Sequence, residues 1–241
     1  PGTGATNAGV LDNMGSVRGH GTVRFLDTLG GVDTVQFINS GALDVFGLGS
    51  LTILQESTDT GDGNAWIDLD GIGEDGIVRL DDFDTLDLNL RLNDDFDGTL
   101  ELDSGAVFDS QYAWNLRGTI DVDATGVDSQ ATLSGGGAFV ARSGSQINVN
   151  DGVLVLNSPT AVQQNATINL AAGTGLQFDR PTTIDGDIVI PSSPSTPNIT
   201  FTVNDTVVIN DPDWNWDGGN FGVAGDLTKT VINDGAVLTV N

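Results

Sequence analysis

Four acidic side chains crowd one short bend: Asp68, Asp70, Glu74 and Asp75 in DLDGIGED, around two of its glycines. Several carboxylate oxygens at a single bend are what a hard divalent cation such as calcium requires. DTGDGN (59–64) and NDDFD (93–97) are similar oxygen-rich turns. The EF-hand pattern does not fit, because the fifth position counted from Asp68 is Ile72 and the twelfth is Arg79. The regular nonapeptide of calcium-binding β-rolls is absent as well. Two readings stand. Either Asp68, Asp70, Glu74 and Asp75 make a weak calcium site, or they belong to a solvated acidic face.

Other chemistry has less material. His20 is the only histidine and there is no cysteine, which leaves little for a histidine triad or a zinc centre. Carboxylates can hydrolyse glycosides when two of them face one cleft at about 5–10 Å. Asp81-Asp82 and Asp94-Asp95 are such neighbours, but in a chain with 31 aspartates chance supplies pairs everywhere. Gly19-His20-Gly21 looks like one motif of the polygalacturonases. The resemblance stops there, because the Asn-Thr-Asp and Arg-Ile-Lys motifs of that family are missing and both aspartate pairs follow the histidine. Trp66, Trp114, Trp214 and Trp216 are available either to stack on sugars or to pack a core. Asn165, Asn198 and Asn204 begin Asn-x-Ser/Thr sequons, at the frequency that so much Asn and Thr produces by chance. Thr200 and Thr202 form a Thr-x-Thr step that hardly recurs, which argues against a flat threonine array for binding ice.

Composition narrows the partners. The 241 residues carry a net charge of −26, with one lysine, Lys229. Such a field repels nucleic acid and anionic lipid and attracts cations. No run approaches about 20 apolar residues, so no helix is expected to insert in a membrane. Only three of the 34 acids are glutamate, and 33 glycines accompany them. Aspartate and glycine suit turns, whereas glutamate suits helix interiors. The chain begins at Pro1 with no signal-peptide pattern, which suggests a segment of a longer parent.

The elements that position these residues are short strands. TLDLNLRLN (85–93) alternates Leu86, Leu88, Leu90 and Leu92 with Asp87, Asn89 and Arg91, and the alternation returns at Leu100 and Leu102 after the turn NDDFDG. Period-2 alternation places all the leucines on one buried face of a strand. Similar runs recur from TVRFL (22–26) to AVLTVN (236–241), separated by Gly, Asp and Asn. Strand starts at Gly98, Gly118, Gly144, Asn165 and Gly186 fall 20, 26, 21 and 21 residues apart. INVNDGVLVLN (147–157) resembles VINDGAVLTVN (231–241), as four coils of about 21 residues would require. These features predict an all-β chain: a parallel β-helix, or β-solenoid, with coils of roughly 20–26 residues over 1–241. A Greek-key sandwich is the competing architecture. PSSPSTPN (191–198) cannot be a central strand and reads as an excursion loop.

The C-terminal stretch WNWDGGNFGVAGDLTKTVINDGAVLTVN (214–241) resembles a degenerate repeat of bacterial surface proteins, the autotransporter passengers and filamentous-haemagglutinin-like adhesins. The matching positions include Trp216, Gly218, Gly219, Asn233, Gly235 and Leu238. The resemblance implies a right-handed parallel β-helix in an extracellular or cell-surface filament, sheath, surface layer or adhesin. It also implies a structural or adhesive role rather than an enzymatic one. Carbohydrate-active β-helix enzymes and phage tail-spike segments share the architecture and remain the alternatives. Expected partners are neighbouring segments of the same parent chain, further copies by self-association, and surface carbohydrate.

Overall fold

The computed structural model describes residues 9–27, 35–57, 66–70, 76–92, 95–126, 129–189, 199–210, 229–232 and 237–240. Among these residues there are strands and turns and no helix, so no helix is long and apolar enough to cross a membrane. The chain is a parallel β-solenoid. Among the described residues successive coils visit three faces in the same order, and every paired strand lies parallel to the equivalent strand of the next coil. The second face holds eight described strands, from Ser16–Gly19 to Asp187–Val189. The third face holds nine, from Gly21–Asp27 to Lys229–Ile232. Among the described residues the first face comprises a four-stranded and a six-stranded sheet, with a parallel bridge between Phe96 and Leu116 where one gives way to the other; 93–94, between Leu92 and this bridge, lie outside the described residues.

Alternation builds this arrangement. On the third-face strand Thr85–Asn89, Leu86 and Leu88 are fully buried while Asp87 and Asn89 point outward. Each inward residue stacks on its equivalents one coil away, as in the run Leu51, Leu86, Phe108, Leu133, Leu156 and Phe178. Burial of each such side chain contributes about 1.5–3 kcal/mol. The leucine run does not stay on one strand. The chain bends at Leu90, Arg91–Leu92 joins the first face, and Leu92 is only partly buried. NDDFDG is also more than a turn, because Phe96 within it is a buried core residue that bridges to Leu116.

Pairing along the second face runs Ser16, Ala42, Ile77, Thr99, Thr119, Gln146, Thr167, Asp187, so coils take between 20 and 35 residues. The longest exceeds the 20–26 expected, and its extra length includes 58–65 and 71–75, outside the described residues. PSSPSTPN also lies outside them. The described chain leaves the second face at Val189 and is next seen on the third face at Thr200. The likeness of 147–157 to 231–241 does not mark equivalent places. Gln146–Asp151 and Val153–Asn157 lie on the second and third faces, whereas Lys229–Ile232 and Val237–Val240 lie on the third and first. An Asn-Asp-Gly turn serves any corner, so its recurrence carries no face.

Two kinds of corner set the register. Gly15, Gly41, Gly76, Gly98 and Gly118 stand one per coil before the second-face strands. Their carbonyls accept from Ala42, Ile77, Thr99, Thr119 and Gln146 of the following coil at 2.8–3.1 Å. The approach is close: a methyl group on Gly98 would sit 2.2 Å from the Gly76 oxygen. Elsewhere a four-residue turn makes the corner, closed from its fourth N–H to its first carbonyl at 81–84, 103–106, 142–145, 163–166 and 171–174. The third residue of these turns has positive φ.

Candidate functional site

The structure describes two of the four proposed calcium ligands. Asp68 ends the first-face strand Trp66–Asp68, and Asp70 occupies the following bend with 5% of its surface exposed. Glu74 and Asp75 lie outside the described residues, as does the whole of 59–64. Asp68 Oδ1 accepts from the Asp70 N–H at 3.3 Å, and the two carboxyl groups also share a hydrogen bond. The Asp97 N–H, from the next coil, donates to Asp70 Oδ2. Burial, then the hydrogen bond shared with Asp68 and its charge, push the Asp70 carboxyl up to about 7, against the Asp97 N–H that pulls it down. The bend therefore favours a shared proton below about pH 7, and a calcium ion there has to compete with it. Among the described residues, no group of three or more His, Cys, Asp or Glu side chains converges as a metal site.

The other acidic turns do different work. Asp95 Oδ2 pairs with Arg117 Nε at 2.7 Å, and Asp95 Oδ1 accepts from Asn115 Nδ2 at 2.7 Å and lies 3.8 Å from Arg142 Nε. Asp84 is fully buried, and its Oδ1 accepts from the Gly49 N–H at 2.7 Å. Asp103 is raised by burial and by the charges of Asp81, Asp82, Asp123 and Glu101. On the third face, burial and the charge of Asp109 raise Asp87, its rung partner.

His20 lies against Gly47 and Gly49 of the next coil, with Nδ1 3.4 Å from the Phe46 carbonyl. Trp114 is core: it is 3% exposed, stacks on Phe139 at 4.5 Å and tilts against Phe108 at 4.8 Å. The Trp66 side chain, Trp214 and Trp216 lie outside the described residues. Thr202 pairs with Gln177, so no threonine array forms there.

Sequence reading missed the outward rungs. On the second face, residues at one offset stack as Arg18, Asp44, Arg79, Glu101, Asp121, Asn148 and Asn169. Arg79 lies between Asp44 at 3.3 Å and Glu101 at 2.5 Å, and the Glu101 hydrogen bond leads in making its guanidinium still harder to deprotonate. Asn169 Nδ2 donates to Asn148 Oδ1, and Asn148 Nδ2 to Asp121 Oδ1, each at 2.7 Å. Inside the first corner, Asn13 donates to Asn39 at 2.7 Å, and Asn39 to the Leu69 carbonyl at 2.9 Å. Part of the signal was available: Arg18, Asp44, Arg79, Glu101 and Asp121 each stand three residues after the glycine before their strand, whereas Ser145 and Ala166 take the glycine's place before the strands of Asn148 and Asn169. A groove of about 540 Å³ runs along the other type of corner, lined by Ser143, Gln163, Gln164, Asn165, Asp185 and Asn210.

No family model matches the chain, and no curated protein or solved structure is significantly similar to it. The Trp216–Ala236 part of the motif that resembles bacterial surface repeats lies outside the described residues, apart from 229–232.

Proposed function

We propose that this chain is a structural or adhesive segment of an extracellular or cell-surface β-solenoid, serving in a filament, sheath, surface layer or adhesin. The observation that carries this reading is the use of the outward rungs. Arg79, Asn148 and Asn169 bond to the coil before or after, so polar side chains brace one coil against the next. The −26 charge suits an exposed rod that must stay soluble and attract cations. Neighbouring segments of the parent chain or further copies are its expected axial partners. The amide-lined groove suits a neutral surface glycan, because Gln163, Gln164, Asn165 and Asn210 offer donors and acceptors together.

Electron microscopy and light scattering on the purified chain, beside a turnover assay on a polysaccharide panel, test the proposal. End-to-end particles or cell-surface adhesion without turnover supports it. Depolymerisation of any polysaccharide that survives enzyme-grade repurification replaces it with the carbohydrate-active reading.

A further inference from the structure

The corner between the second and third faces carries large apolar side chains where its geometry asks for glycine. A positive φ at the third position of a four-residue turn favours Gly or Asn, because any Cβ crowds the backbone there. Four turns of this solenoid obey: Gly105 (φ 74°), Gly144 (91°), Gly173 (89°) and Asn165 (65°). Two neighbouring coils do not. Phe83 (φ 61°) takes that place in the turn 81–84, and one coil earlier Leu48 (φ 60°) has the same backbone in a bend that follows Gly47 (φ 100°); they are 50% and 74% exposed. The two corners stack directly, since Asp81 N donates to Val45 O and Thr85 N to Gly49 O. Phe46, 37% exposed, lies on the same corner as Leu48. Neither burial nor backbone preference accounts for Leu48 and Phe83.

The surroundings select the occupant. One side of the Phe83 ring lies over Gly105, where an added methyl would come within 2.5 Å of it. Asp81 and Asp82 precede the ring on its own turn, and Asp103, whose carboxyl feels the charges of both, opens the turn of the next coil, where the Phe83 N–H donates to the Ser104 carbonyl. The chain already shows how such a ring is used: the Arg18 guanidinium sits 4.3 Å over the Phe46 ring. A cation over an aromatic face beside carboxylates is favourable on both counts. Lateral contact with a second copy is opposed by the −26 charge. We propose that Leu48 and Phe83, rimmed by Asp81, Asp82 and Asp103, form a docking site for a basic polypeptide segment that presents arginine or lysine beside apolar side chains. The site adds a partner to the rod and does not depend on the rod being adhesive.

The test uses the whole chain and three labelled synthetic peptides: one alternating arginine with leucine and phenylalanine, one with its apolar residues changed to serine, and one with its arginines changed to glutamine. A neutral cello-oligosaccharide serves as the fourth probe. Binding is read by anisotropy for wild type, Phe83→Gly, Leu48→Gly and the exposed rim variant Asp82→Asn, with a thermal melt for each. The expected result is that the arginine–apolar peptide binds best, weakens with added salt, and loses about tenfold in affinity in Phe83→Gly. Phe83→Gly should melt no lower than wild type, because glycine suits the backbone. Asp82→Asn should weaken the same peptide without altering the melt. The proposal is overturned if no peptide binds, if the serine peptide binds equally well, or if the oligosaccharide alone depends on Phe83. It also fails if Phe83→Gly lowers the melting temperature while Asp82→Asn binds normally, which makes the ring a structural cover for Gly105.

Discussion

Leu88 and Asp87 are adjacent in the chain and face opposite media. Leu88 is fully buried, so Leu88→Asp places a carboxylate in the core and should destabilise the fold by about 4 kcal/mol or more. Asp87→Ser should change stability by no more than about 0.5 kcal/mol, because it removes a charge that burial and Asp109 already disfavour. Urea melts of the two variants check both. Asp70 makes a pH-dependent prediction. Its folded pKa of about 7 lies above the ordinary 3.8, so above pH 4 the folded state holds a proton that the unfolded state releases. Stability from this group is complete below about pH 4 and is lost as pH rises towards 7; the raised Asp87 and Asp103 act in the same sense. Asp70→Asn keeps the acceptor for the Asp97 N–H and supplies a permanent donor to Asp68. It should raise the melting temperature at pH 8 by several degrees and flatten its dependence between pH 4 and 7, as a pH series of thermal melts will show. The crowding of acids at 68–75 was legible in the sequence. The arrival of Asp97 was not, since it comes from 27 residues away through the coil register.

At the scale of strands and corners, the glycine column is the most sensitive element. Gly98→Ala would force a methyl group to 2.2 Å from the Gly76 carbonyl and part the two coils. The expected loss is about 2–4 kcal/mol, read by chemical denaturation, with Gly144→Ala, which meets open space but keeps a φ of 91°, losing less. Asn148→Ala breaks both bonds of its rung and should destabilise by about 1–2 kcal/mol. The strands themselves were plain in the sequence, because alternation at Leu86–Leu88 and Leu100–Leu102 is a local property. Gly98, Gly118 and Gly186 were placed correctly just before second-face strands, while Gly144 and Asn165 fall one residue earlier, inside four-residue turns. The faces were not legible. Nothing local says that Arg91–Leu92 changes face, or that 147–157 and 231–241 turn different corners, because face identity is set by how many corners precede it.

For the molecule as a whole, charge and shape work against each other. Stacked coils repeat every 4.8 Å or so, and carboxylates such as Asp87 and Asp109 stand on adjacent rungs. Raising NaCl from about 10 to about 200 mM shortens the screening length from about 30 to about 7 Å. The melting temperature should climb over that range, and a flat profile would show that self-repulsion is unimportant. Calcium bound at the Asp68–Asp70 bend should raise it further at micromolar to millimolar concentration and EDTA should reverse the rise, whereas screening alone is indifferent to EDTA. In a solenoid the ladder hydrogen bonds run along the long axis, so a lengthwise pull is shared among the faces like a load among parallel cables. Among the described residues the second face is continuous through eight strands and the third through nine. The coils are links in series, so the force such a stack withstands is set by how many ladder bonds one coil makes with the next, and not by how many coils are stacked.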